Sequence, residues 1–115
     1  VSEYIQKESL DIEINATIAK VGSKIVGTFS PKLDYLTPFI QQVRTSDRPP
    51  NEIPINKEEA IEGMIELRKK YGVLVGISAG GLFAAYKKRS PKPNQVSVIV
   101  AWDGHDRWID SIRQN

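Results

Sequence analysis

The 115-residue sequence has no cysteine, one histidine and one methionine. Without thiols it has no disulfide, no thiolate metal site and no cysteine nucleophile. The lone His105 excludes a multi-histidine metal site built from this chain alone. No apolar run approaches the ~18 residues that a membrane span needs. The longest runs, 73–77 and 96–102, are strand-sized. Neither sign of charge dominates: 16 Lys and Arg stand against 14 Asp and Glu, a net +2. Aromatics are sparse, at 8%, and are not interleaved with a basic stripe, so the pattern of a nucleic-acid binder is missing. The opening Val1-Ser2-Glu3-Tyr4 lacks the basic-then-apolar order of a secretory signal. The expectation is a cytoplasmic protein without a membrane or nucleic-acid partner.

Further absences narrow the chemistry. There is no P-loop and no dinucleotide fingerprint. One histidine and one helix-proximal serine do not make a Ser-His-Asp triad. No carboxylate pair is spaced so as to imply glycoside hydrolysis.

What is present is an ordinary globular composition, 40% hydrophobic and 26% charged, sufficient for one domain and not two. The expected organisation is a single α/β domain or domain fragment over 1–115, with 1–51 hard to read and 52–115 clear. Two proline-rich breaks, 48–51 and 90–94, punctuate it. Between them, 53–55 reads as a short extended piece. Asn56 caps a helix, and Glu59 three positions on completes a capping box. An amphipathic helix over 57–71 follows, with Ala60, Met64, Leu67 and Tyr71 at helical spacing. Gly72 ends it as a left-handed cap. Residues 73–77, apolar without alternation, read as a strand buried on both faces. A tight turn over 78–81, a helix over 82–89, a second buried strand over 96–102, a turn over 103–105 and a helix over 106–113 complete the series.

In the first half, 24–29 reads as a strand and 34–43 contains a short helix. Residues 12–21 fit either period, and a helix from Asn15 is favoured. The alternation of helices and strands predicts an α/β fold: a mostly parallel sheet with helices on both faces.

In such a sheet ligands bind at the carboxyl ends of the strands. Two loops qualify. The first is Gly76-Ile77-Ser78-Ala79-Gly80-Gly81, whose small residues let a ligand approach the backbone at a helix start. Ser78 offers a hydroxyl there; equally, it caps the helix and the glycines only make the turn. The second is Asp103-Gly104-His105-Asp106-Arg107, where Asp103 and His105 are an acid and a base in reach of chemistry, or merely surface charges. The basic group Lys87, Lys88, Arg89 and Lys92 reads as a solvated helix end.

These residues also carry a family resemblance. The helix Glu58-Glu59-Ala60 resembles the "EEA" helix of the cysteine synthase and cystathionine β-synthase family, the fold type II pyridoxal phosphate enzymes. Val75-Gly76-Ile77-Ser78-Ala79-Gly80 resembles that family's "VGISSG". Val98-Ile99-Val100-Ala101-Trp102-Asp103, with Arg107-Trp108-Ile109, resembles "VVILPDSGERYLS". The three motifs stand in the family's order over 56–111.

The resemblance implies part of the large domain of such an enzyme, its carboxyl-terminal segment, with pyridoxal phosphate as cofactor. It implies amino-acid biosynthesis by β-replacement on an O-activated serine, as a lyase or transferase. Ser78 takes the position of the serine that hydrogen-bonds the cofactor's ring nitrogen. A hydroxyl partner leaves that nitrogen unprotonated and makes the ring a milder electron sink. Gly76, Ala79, Gly80 and Asp103 fall beside the same ring.

The departures are specific. Ala79 replaces the second serine of the motif, and Trp102 replaces the proline before Asp103. Nothing corresponds to the Schiff-base lysine, which the family carries in its amino-terminal half. Residues 13–17 stand where a phosphate-cradling "GTSGT" is expected and lack its glycines. The expectation is a catalytically incomplete segment that joins a missing amino-terminal half or partner chain in a homo-oligomer. The alternative is a degenerate, cofactor-free α/β binding or interaction module.

Overall fold

The computed structural model describes residues 4, 7, 8, 10–23, 25, 28, 38–101 and 104. Asn51–Ile55 forms β2, whose Ile53 and Ile55 turn inward while Pro54 faces out. Asn15–Ala19 forms β1 and pairs with β2 in parallel, in the register Asn15 opposite Asn51 through Ala19 opposite Ile55. This corrects the helix expected from Asn15. Ile12 and Ile14 alternate while Ile14, Ile18 and Val21 have helical spacing, and the edge of β2 satisfies the backbone of this segment as a strand. The pairing extends at both ends, from the Asn51 amide to Ile14 O (2.9 Å) and from the Lys20 amide to Ile55 O (3.0 Å). Upstream, the Arg48 guanidinium donates to Leu10 O and Ile12 O.

A short helix, α1, spans Pro38–Arg44, within the region where one was expected. Arg44 at its end pairs with Glu52 of β2 at 2.9 Å. The long helix α2 spans Lys57–Tyr71, as the local signals require. Glu59 N donates to Asn56 Oδ1 (2.8 Å) and Asn56 N donates to Glu59 Oε2 (2.9 Å), a reciprocal capping box. Gly72 closes the helix at φ 68°, ψ 20°, the left-handed conformation that glycine adopts without a Cβ penalty.

The next helix, α3, spans Ile77–Lys88 and starts earlier than expected. Residues 78–81 are therefore the first turns of a helix and not a tight turn. Residues 73–76 carry no strand: Val73 and Leu74 are exposed, and only Val75 and Gly76 are buried. Residues 96–101 likewise carry no strand, and Val96, Val98 and Val100 are exposed. An apolar run states that a segment prefers burial. It does not supply the neighbouring strand that makes burial possible, and among the described residues the sheet has two strands only.

The core lies where α2 and α3 cross and meet the inner face of the β1–β2 sheet. Ile53, Ile55, Ala60, Ile61, Met64, Ile77 and Ala79 are buried there, joined by Ala19 and Ile25. Ile55 is fully enclosed, and burial of a side chain of this size stabilises by about 1.5–3 kcal/mol. The helices approach closely because glycines face each other. A Cβ on Gly63 would lie 2.2 Å from Gly80 O, and one on Gly80 would lie 2.2 Å from Ala60 O.

Of the remaining expectations, the strand at 24–29, the turn at 103–105 and the helix at 106–113 fall wholly or mostly outside the described residues. The fold is a small α/β unit: a two-stranded parallel sheet with helices packed against it.

Candidate functional site

The two long helices begin in opposite chemical states. The first amides of any α-helix have no partner within it and must find acceptors elsewhere. In α2 the need is met by the Asn56–Glu59 box, with Glu58 and Glu59 adding negative charge to the first turn. In α3 the cap is Gly76, in extended backbone (φ −79°, ψ 175°), with no side chain to accept and no acidic residue in the first turn. The first helical bond runs from Gly80 N to Gly76 O at 3.1 Å. Yet this end is dry: Ile77, Ser78 and Ala79 are 2%, 4% and 1% exposed.

Ser78 is the second residue of α3 and not its cap, which corrects that reading. Its side chain is the sole buried polar one among the described residues. Its hydroxyl has no hydrogen bond in that set. A buried hydroxyl without a partner costs about 1–3 kcal/mol relative to a satisfied one. Together, the hydroxyl and the uncapped helix start form a buried cluster of donors with no acceptor among the described residues.

The other residues proposed around this point separate. Gly76 and Ala79 flank Ser78 at the start of α3. Gly80 serves helix packing: its α-carbon sits against Ala60 and Met64, so its missing side chain makes room for α2. Gly63, the facing glycine, went unremarked in the sequence. The signal for it was available, since Ala60 and Gly63 form a small-residue stripe on α2. Asp103 and His105 lie outside the described residues, and Gly104 between them is exposed.

Away from this point six ion pairs link charges among the described residues. Lys88 Nζ bonds Glu59 (3.0 Å) and the Pro54 carbonyl (3.1 Å), and Lys20 approaches the same carboxylate at 3.7 Å. Lys87 and Lys70 share Glu66, and Arg89 reaches Glu13 near β1. Burial pushes the Glu59 carboxyl up. The Asn56 amide and the two lysines outweigh that and leave its pKa below the usual value. Hydrogen bonds from Lys87 and Lys70 lower that of Glu66, and those from Arg89 and Asn15 lower that of Glu13. Three of the four residues in the basic group at the end of α3 are thus engaged with carboxylates. Among the described residues no group of three His, Cys, Asp or Glu gathers to hold a metal, and no helix is long and apolar enough to cross a membrane.

No family model matches the chain. It is similar to cysteine synthase B of Pseudomonas aeruginosa, 30% identical over 112 residues that make up 96% of this chain and 36% of that protein. The chain therefore spans little more than a third of the length of this curated relative and carries a distant, partial homology to a cysteine synthase.

Proposed function

We propose that the chain is the carboxyl-terminal segment of a cysteine synthase-like pyridoxal phosphate enzyme, in which Ser78 donates its hydroxyl proton to the ring nitrogen of the cofactor. The observation that carries this reading is the buried Ser78 hydroxyl, without a hydrogen-bond partner among the described residues, at the uncapped start of α3. The donor set fits the group: a ring nitrogen is an acceptor, and this site has donors to spare. The bound cofactor supplies an electron sink for β-replacement on an activated serine. Ser78 would hold the ring nitrogen, with Gly76 and Ala79 beside it at the start of α3; Asp103 joins this set only by the family resemblance. The helix start, with its partial positive charge, disfavours a proton on the nitrogen it faces. The reactive lysine comes from sequence outside this chain, so the chain alone is not catalytically complete. The reading places the protein in the cytoplasm, in amino-acid biosynthesis.

The test is titration of the chain with pyridoxine 5′-phosphate, which keeps the ring and phosphate and cannot form imines with surface lysines. Tryptophan emission from Trp102 and Trp108 reports binding. Saturable quenching is expected, and Ser78→Ala should weaken it about tenfold, the worth of one hydrogen bond of ~1.4 kcal/mol. Inorganic phosphate should not compete. Competition by phosphate alone would make the helix start an anion site, and no response at millimolar analogue would overturn the reading.

A second reading, a cofactor-free interaction module, draws support from the exposed valines of 96–100. It predicts no response to the analogue in the same titration.

A further inference from the structure

The pairing of β1 with β2 follows a fixed donor order. Asn51 lies opposite Asn15, and the Asn51 amide donates to Ile14 O, the carbonyl one residue before its partner (2.9 Å). Continued upstream along parallel chains, the same order assigns Ile12 O to the amide of residue 49 and Leu10 O to that of residue 47. Neither position serves. Pro49 has no amide. Residue 47 lies in a bend over 46–48, where the chain leaves α1 with the Thr45 and Ser46 amides turned back on Gln41 O and Val43 O.

Yet both carbonyls are bonded. Arg48 Nη1 donates to Leu10 O (3.0 Å) and Arg48 Nη2 to Ile12 O (3.3 Å). Carbonyls two residues apart on an extended chain face the same way, and the guanidinium is a planar fork with two terminal nitrogens to offer them. The exposed Arg89–Glu13 pair touches the same stretch only through the Glu13 carboxylate.

We propose that Arg48 is a strand surrogate: its side chain supplies the two donors that the backbone withholds where Pro49 and the bend interrupt β2, and it carries the parallel register upstream over residues 10–14. The need for such an anchor is physical. Alternation of side chains forbids a one-residue slip of β1, because the buried Ala19 would leave the core. A two-residue slip keeps every side chain on its own face, and only five paired residues oppose it. The bonds to Leu10 O and Ile12 O hold the frame that sets Ala19 opposite the fully enclosed Ile55, in the core against which α3 packs. This role is independent of cofactor binding.

The test is amide hydrogen exchange, read by nuclear magnetic resonance on the whole 115-residue chain. The Asn51 amide, next to the clamp, is compared with the Lys20 amide, which bonds Ile55 O at the far end of the same pairing. Arg48→Ala should speed Asn51 exchange about tenfold relative to Lys20, as expected when a local anchor of one to two hydrogen bonds is lost. Pro49→Ala restores an amide at the position whose acceptor in this register is Ile12 O. In the double variant the Asn51-to-Lys20 ratio should return to that of the parent, and the amide introduced at position 49 should itself exchange slowly. An unchanged ratio in Arg48→Ala, including equal acceleration of both amides, would overturn the proposal. So would a double variant whose ratio stays at that of Arg48→Ala.

Discussion

Two adjacent glycines of α3 should respond to the same substitution with opposite sign. Alanine is favoured over glycine in a helix interior by about 1 kcal/mol, so propensity alone predicts that both Gly80→Ala and Gly81→Ala stabilise. Packing separates them. A Cβ on Gly81 meets Ala60 Cβ at 3.6 Å and Ile55 Cγ2 at 3.9 Å, ordinary contacts that add apolar burial. One on Gly80 falls 2.2 Å from Ala60 O and 2.7 Å from Met64 N. Neither obstacle is a mobile side-chain tip; both are helical backbone. The only relief is to push α2 and α3 apart, which strips contacts from Met64, Ala79 and Ile77. Overpacking of this kind costs about 3 kcal/mol, at the upper end of the usual range. Net of propensity, Gly80→Ala should destabilise by about 2 kcal/mol, and Gly81→Ala should stabilise by about 0.5–1 kcal/mol. At about 4 °C per kcal/mol for a chain of this size, the first lowers Tm by roughly 8 °C. Urea and thermal unfolding followed by far-ultraviolet circular dichroism measure both. A Gly80→Ala protein as stable as the parent, or a common direction of change for the pair, would refute the close helix crossing.

Three further outcomes follow from the same geometry. Ser78→Ala removes a buried hydroxyl that has no partner among the described residues and adds helix propensity, so the chain should gain about 1 kcal/mol in urea unfolding; a loss of stability would show that the hydroxyl is satisfied in the fold. The lowered carboxyl of Glu59 contributes stability that is present above its unfolded value near 4.5 and is lost as pH falls through the folded one. The urea midpoint should therefore drop on acidification, and Glu59→Gln should flatten that part of the profile; an unchanged slope would remove Glu59 from the account. Asn56→Ala breaks the capping box and should cost about 1 kcal/mol, with a Gly substitution milder by several tenths.

The legibility of this fold tracks the distance over which each signal acts. Helix α2 was readable residue by residue, because Asn56, Glu59 and Gly72 act within one turn of the positions they define. The segment at Asn15 is ambiguous in the sequence because Ile12 and Ile14 alternate while Ile14, Ile18 and Val21 have helical spacing, and the choice between the two is made by β2, 36 residues downstream. Residues 73–77 and 96–102 were read as strands because they are apolar. The structure gives 73–76 and 96–101 no strand partner, and it gives the start of the glycine-rich loop to a helix because Gly63 and Gly80 let two backbones touch. Ser78 is legible in the sequence as a candidate, either as a cap or as a hydroxyl offered to a ligand; the structure removes the first role, which Gly76 holds.

Local chemistry thus suffices for both ends of α2. It does not contain the long-range geometry: which strand lends an edge, where two glycines meet, or that the Ser78 hydroxyl ends up buried. Those depend on surfaces brought together from far apart in the chain. Burial and hydrogen-bond satisfaction are properties of the pair of surfaces in contact, and neither surface encodes them by itself.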